Sequence, residues 1–359
     1  MTANISPIIR DPGPEDAPAI LEVLEAAYDQ WPPIAVEATA LDHLRWKMAP
    51  PGDIPLHHAL VEIDGRPRAT QLRWVCWMQI GEHDYVGETG ADLAVHPAAR
   101  GQGLSRLIKE RDHERLAAGQ VAGFGMISNA PEVRHMNDPE MVSREITNWV
   151  RPFGLRPYLA VHYRRGGLGK LVRSLARFRG NRAPPTASAR RTGRIEVLQQ
   201  FDERTDALWD SARRAFDVIA FRNAAYLNWR FAPRLSGPTK IFGWLDGERV
   251  LAYAVARATA GRGDLMDWLW EPGAEDVLPD LLDAVESHLR SVGAPHVTCW
   301  LPSGHRAEPA LRAAGFAEVG TQEVLFGGRA RPEAPIAALD ICEDPARTLH
   351  MSMSDFDHV

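Results

Sequence analysis

Two glycines one residue apart, Gly101 and Gly103, stand where an apolar run ends and a helical pattern begins. The stretch reads Asp92-Leu-Ala-Val-His-Pro-Ala-Ala-Arg-Gly-Gln-Gly-Leu-Ser-Arg-Leu-Ile108. Pro97 stops the strand that precedes it. Leu104, Leu107 and Ile108 then fall on one helical face, opposite Arg106, Lys109 and Glu110. The first-turn N–H groups of a helix have no internal partners and carry the positive end of its dipole. Glycine lets an anion approach them closely, so the arrangement is a phosphate site in waiting. The glycine spacing alone marks many strand-to-helix turns; its context gives it weight. Just upstream, Glu88 and Asp92 lie four residues apart on the same strand. An unbulged strand puts both on one face.

Val-x-Pro-x-x-Arg-Gly-x-Gly between a strand and a helix resembles motif A of the GNAT acyltransferase superfamily, whose members use acetyl-CoA as co-substrate. The resemblance covers nearly the whole first half in element order. It implies that Leu93 and Val95 meet the pantetheine arm and that Arg100, Gly101, Gln102, Gly103, Leu104 and Ser105 hold the pyrophosphate. Asn129, at the end of the next strand, would hydrogen-bond pantetheine or substrate, or simply cap a helix. Acyl transfer to an amine needs a base for the amine's proton and stabilisation of the oxyanion. The resemblance gives the base to a carboxylate on the motif A strand, Glu88 first and Asp92 second; a strand-end carboxylate in water is as good a reading of either. It gives the acid to a tyrosine, and Tyr158 and Tyr163 are the ones in the matching region, with packing the plainer role for both. His135 is a further polar candidate, as readily a surface residue. Ala98 stands where the family often has Gln or Arg. The family's closing helix ending in Gly-Phe is echoed only by Phe153-Gly154-Leu155 in the first half.

The elements that must position these residues are legible in both halves. Ile8–Arg10 reads as a strand, with amphipathic helices through Ile20–Ala27 and Ala40–Met48. His58–Ile63 and Arg68–Ile80 form a hairpin over Asp64-Gly65. Tyr85–Val95, a helix over Leu104–Ala118 and a strand over Val121–Ser128 follow, and residues 125–163 look irregular. From Ile195 the order hairpin, strand, helix, strand returns: Lys240–Trp244 with Arg249–Ala256, then Leu265–Trp270, a helix through Leu278–Leu289, and His296–Leu301. A helix over Glu308–Ala314, Gly315-Phe316 and a strand over Glu323–Gly327 close it. The fold class is therefore α/β, with mixed sheets in two tandem GNAT-like lobes. Where the second lobe should offer amides it has Glu271-Pro-Gly-Ala-Glu-Asp276, whose carboxylates repel a pyrophosphate.

Length and composition bound the rest. The 359 residues suit two domains, and 45% hydrophobic with 25% charged residues suits a globular core. The expected units are 1–165, a basic linker 166–194, 195–335 and a tail 336–359. Ten Lys or Arg and no acidic residue lie between Arg164 and Arg194, although the whole chain carries a net charge of -6. No general attraction for nucleic acid follows, and the linker's short basic helix is a solvated connector before it is a membrane contact. Cys76, Cys299 and Cys342 are unpatterned, which argues against disulfides and a zinc site, so no metal is expected. No signal peptide or apolar membrane span is visible, and the expected location is the cytoplasm. The expected activity is acetyl transfer from acetyl-CoA to a primary amine of a small molecule, amino sugar or peptide. Two rivals stand beside it: a FemAB-like transferase using aminoacyl-tRNA, favoured by the basic linker, and a non-catalytic CoA-binding scaffold in a polysaccharide pathway. The stretch Phe221–Arg230 and the tail Ser352–Asp357 resemble features of bacterial tandem acyltransferases.

Overall fold

Apolar side chains recur at helical spacing on helices such as Ala17–Ala27 and Leu278–Ser291, and the central strands Arg249–Thr259 and Arg262–Trp270 are buried along most of their length. The computed structural model describes residues 6–52, 54, 56–117, 122–126, 142–154, 191–259, 261–327 and 335–355. The first half runs β1 (Ile8–Arg10), α1 (Ala17–Ala27), α2 (Ala40–Lys47), β2 (Ala59–Ile63), β3 (Arg66–Ile80), β4 (His83–Val95), α3 (Leu104–Ala117), β5 (Ala122–Met126) and β6 (Val142–Pro152). The second runs β7 (Arg194–Leu198), α4 (Glu203–Ala212), β8 (Val218–Ala220), α5 (Ala224–Arg230), α6 (Pro233–Ser236), β9 (Thr239–Asp246), β10 (Arg249–Thr259) and β11 (Arg262–Trp270). It continues through α7 (Leu278–Ser291), β12 (His296–Pro302), α8 (Glu308–Ala313), β13 (Ala317–Gly327), α9 (Pro335–Glu343) and β14 (Leu349–His350).

Helix starts are chemically marked: Thr39, Asp202 and Asn223 each accept a backbone N–H at the first turn of α2, α4 and α5. On α7, Leu278, Leu281, Leu282, Val285 and Leu289 are buried against the second half's strands. Burying each contributes roughly 1.5–3 kcal/mol, so this one stripe fixes the helix. Nine of the eleven tryptophans are buried, in keeping with core filling. The three cysteines are free and buried.

Two mixed half-sheets join edge to edge in the order β1-β2-β3-β4-β5-β13-β6-β12-β11-β10-β9-β7, with β8 and β14 off this path, fourteen strands among the described residues. The join is reciprocal. β13, from the second half, lies between β5 and β6 of the first, while β6, from the first, lies between β12 and β13 of the second. Residues 142–152 thus form a central strand where the sequence looked irregular. Arg144, Glu145 and Asn148 dilute its apolar pattern, and its partners β12 and β13 are remote in sequence. The closing helix α8 with Gly315-Phe316 delivers β13 to the first half's sheet.

The second half also clasps the α1–α2 segment. Trp46 and Trp229 exchange indole-to-carbonyl hydrogen bonds of 2.8 and 3.1 Å, and Trp74 stacks on Trp229 with centroids 4.9 Å apart. Ala38 N–H donates to Arg234 O, and the His43 ring donates through Nδ1 to Leu235 O at 2.6 Å.

Candidate functional site

In the first half, β4 and β5 run parallel but pair only at Gly87↔Ala122 and Glu88↔Gly123. Beyond Glu88 the described residues of the two strands pair no further, which leaves the β5-facing side of β4 without ladder partners, a slot towards its end. Just past the separation β4 bulges. Leu72 faces Ala91 and Thr70 faces Ala94, so Asp92 and Leu93 together oppose Gln71, and Asp92 has φ 46°. One peptide unit therefore leaves the β3 ladder beside the slot. The Tyr28 hydroxyl donates to Leu93 O at 2.8 Å there.

β4 ends at Val95, and the chain turns through Pro97–Ala99 into α3. His96 Nδ1 accepts the Ala98 N–H. Gly101 and Gly103 hold φ 80° and 77°, and a Cβ on either would meet nothing within 4 Å. The loop thus needs glycine for its backbone, and open space lies before it. Leu107 N–H to Gly103 O is the first bond of the helix. The earlier first-turn amides remain available to an anion, as a helix start requires. Leu104 and Ile108 anchor α3 in the core with Ala99, Leu93 and Val95. Arg100, Gln102 and Gly103 are exposed, Ser105 is half-buried, and an Arg100 Nη reaches Ala27 O at 3.4 Å.

The two carboxylates part company at the bulge. Asp92 turns to the α1–α2 connection and the end of α2, where Trp31 Nε1 donates to one oxygen at 2.9 Å and Lys47 Nζ to the other at 2.5 Å. Lys47 is itself buried, so both oxygens of Asp92 are engaged in a desolvated ion pair. Glu88 is buried between two nitrogen donors: His57 Nδ1 lies 3.2 Å from its Oε2 and Arg73 Nε 3.9 Å from its Oε1. Arg73 also pairs with Asp112 of α3. The expectation that both carboxylates share a face held only for an unbulged strand; the bulge gives them different surroundings. Tyr158, Tyr163, Asn129, His135 and most of the basic linker lie outside the described residues. His57, Arg73, Lys47 and Tyr28 went unmarked in the sequence, because strand pairing and the bulge, not spacing, bring them in.

The second half repeats the geometry with different chemistry. β11 and β12 pair only at Gly263↔Val297 and Asp264↔Thr298 and then separate, which makes Asp264 the counterpart of Glu88. Asp264 is closed in by Arg262 at 2.8 Å and Arg257 at 3.5 Å. Two imidazoles cross the separation: His305, just past β12, lies 3.0 Å from His350 Nδ1, and His350 Nε2 donates to Trp268 O of β11 at 3.0 Å. Ala307 N–H donates to His305 Nδ1, which fixes one tautomer throughout and leaves both rings neutral. Burial lowers the pKa of His305 to about 3 and that of His350 well below the ordinary value. The acidic loop is tied down, with Arg249 on Glu271, Arg306 on Glu275 and Arg191 on Asp276.

The stretch Phe221–Arg230 and the tail hold each other. Arg222 binds Asp267 at 3.1 Å and Asp355 at 2.6 Å, and Ser352 and Tyr253 also bind Asp267. Burial works against the Arg222 charge, but the two carboxylates outweigh it and hold the pKa above its ordinary value. A cavity of about 920 Å³ opens at the far end of the β3–β4 hairpin, lined by Gln79, Tyr85, Arg213, Phe216, Ile341 and Arg347 among others. Arg213 and Arg347 are already paired with Asp84 and Asp217, and no residue of the slot or loop lines it.

No protein-family model and no curated protein sequence matches this chain. Solved structures do match its fold. A conserved protein of unknown function from Enterococcus faecalis V583, described as a probable N-acyltransferase, superimposes with a TM-score of 0.61 at 14% identity, over 89% of this chain and 72% of that one. A GCN5-related N-acetyltransferase from Anabaena variabilis gives 0.59 at 8% identity over the same shares. Another from Kribbella flavida gives 0.53 at 12%, over 91% of this chain and 72% of that one. The chain has the tandem mixed-sheet fold of GNAT acetyltransferase structures.

Proposed function

We propose that this protein is a GNAT-type N-acetyltransferase that moves an acetyl group from acetyl-CoA to a primary amine. The observation that carries the reading is the β4–β5 separation, which starts at buried Glu88 and runs towards the glycine loop of α3. The loop fits a pyrophosphate, since its glycines leave the backbone uncovered and the helix start directs N–H groups outward. Acetyl-CoA would supply the activated thioester. Leu93 and Val95 would line the slot, Arg100 to Ser105 would hold the anion, and the peptide freed by the bulge would face the developing oxyanion. Glu88 would take the amine's proton, directly or through a water. Asp92 serves the bulge, because Trp31 and Lys47 occupy its oxygens.

The second half, in this reading, binds no CoA. Its separation is bridged by His305 and His350, and its loop carries carboxylates where an anion would sit. It supports the first half by supplying β13 and by clasping α1–α2. Calorimetric titration with CoA should therefore give one site per chain.

A thermal-shift series with acetyl-CoA, CoA and longer acyl-CoAs tests the cofactor assignment. Stabilisation by at least one is expected, and none by any would sink it. Glu88→Gln should bind acetyl-CoA as the wild type does. Its amine-dependent thiol release should fall by about 10²-fold or more.

A further inference from the structure

We infer that His57 is a positioning residue for Glu88, and that His57, Arg73 and Asp112 form a chain linking the base to the helix behind the anion loop. The inference rests on the acyltransferase reading above. Across the sheet, Ala59 faces Gln71 and Arg73 faces Gly90, so the residues just before β2 come level with Arg73 and the Glu88 region of β4. Gly90 makes this possible. A Cβ there would stand 2.5 Å from Gln71 Nε2 and 3.3 Å from Arg73 Nη1, where the long side chains of β3 now cross.

The two oxygens of Glu88 are treated differently. His57 Nδ1–H donates to Oε2 at 3.2 Å, which fixes the carboxylate's orientation. Arg73 Nε stands 3.9 Å from Oε1, too far for a hydrogen bond, and is a buried donor without a hydrogen-bond partner among the described residues. A gap of that size between a buried donor and a buried acceptor is where a bridging water, or the acceptor's N–H, fits. Oε1 thus keeps the capacity to take a proton, while the charge it needs is supported from both sides. Arg73 is held in turn by Asp112, eight residues into α3, whose first turn forms the anion loop. His58 steadies the frame, its Nδ1 accepting the Arg73 N–H at 2.9 Å. Lys109 of α3 is a further charged neighbour of Arg73 and Asp112.

An ordinary structural ion pair would look like the second half. There Asp264, at the matching position, lies against Arg262 and Arg257, and its side chain is fully buried. Glu88 has one true hydrogen bond, one open oxygen and a partly exposed imidazole beside it. The two halves share the position and differ in the imidazole hydrogen bond, which among the described residues Glu88 makes and Asp264 does not.

The test uses the full chain. With ¹⁵N-histidine labelling, the His57 ring should carry its proton on Nδ1 in the wild type and lose that preference in Glu88→Gln. A wild-type ring protonated on Nε2, or one unchanged by Glu88→Gln, overturns the proposal whatever the activity. The kinetic arm follows thiol release from acetyl-CoA with spermidine, glucosamine and lysine as amine probes. His57→Phe should lower kcat about tenfold or more, leave the KM for acetyl-CoA within about twofold, and shift the acid limb of the pH profile. His57→Asn, whose amide replaces the Nδ1 donor, should recover most of kcat. Phe and Asn variants equal to each other, or a Phe variant equal to wild type, would also overturn it. Absence of acyl-CoA stabilisation in the wild type counts against the acyltransferase reading alone, and the ring-tautomer measurement still decides the role of His57.

Discussion

Buried ionisable side chains set how this molecule responds to pH and to substitution. His305 and His350 are neutral, fully buried and joined in one chain of hydrogen bonds, with His305 titrating near 3 because of burial. An unfolded histidine titrates near 6.5. Between those values the unfolded chain binds more protons, so the contribution of these rings is complete above about pH 6.5 and is lost as pH falls towards 3. His43 and His58, lowered by burial to about 4, add to the same trend. Urea midpoints should drop between pH 7.5 and pH 5, and His305→Phe should flatten that drop. A midpoint independent of pH over this interval would show that the rings do not titrate differently on folding. Asp92 makes a second case. Asp92→Ala leaves the Lys47 ammonium buried without its carboxylate, at a cost of about 3–5 kcal/mol, measurable as a lower denaturation midpoint.

At the scale of elements, the β4 bulge and the α3 loop decide the chemistry, and they differ in how much the chain discloses. The loop could be read directly, because Gly101, Gly103 and Pro97 are backbone constraints written as residue types. Gly103→Val should lose acetyl-CoA stabilisation in a thermal-shift assay with little change in far-UV dichroism, since φ 77° strains any β-branched residue and nothing else is touched. The bulge could not be read, since Asp92 at φ 46° is an ordinary residue held by Trp31 and Lys47 from distant elements. The hairpin over Asp64-Gly65, the one joining Lys240–Trp244 to Arg249–Ala256, and the stripe of α7 are legible through local turn chemistry and periodicity. β6 was not, for its burial depends on β12 and β13, and its polar positions hide the alternation. Glu88 was therefore visible as a residue, while the imidazole and guanidinium around it became visible only through register.

The whole molecule is two halves that cannot be completed separately. The first lacks β13, the second lacks β6, and each missing strand sits in the interior of the other's sheet. Residues 1–165 made alone should expose the edges of β5 and β6 and be insoluble or partly folded. The same segment co-expressed with 191–359 should be recovered as a soluble pair. A cooperative, soluble 1–165 on its own would contradict this. The mutual strand insertion also sets a timetable for synthesis. About 165 residues separate the end of β6 from the start of β13, and at roughly 5–20 residues per second a ribosome needs about 8–33 s to make them. Throughout that interval the nascent first half presents three unpaired strand edges, one of β5 and both of β6, the kind that template aggregation. Codon choice between residues 153 and 316, and the chaperones that meet the emerging chain, should then govern the yield of active protein more than the stability of the finished fold does.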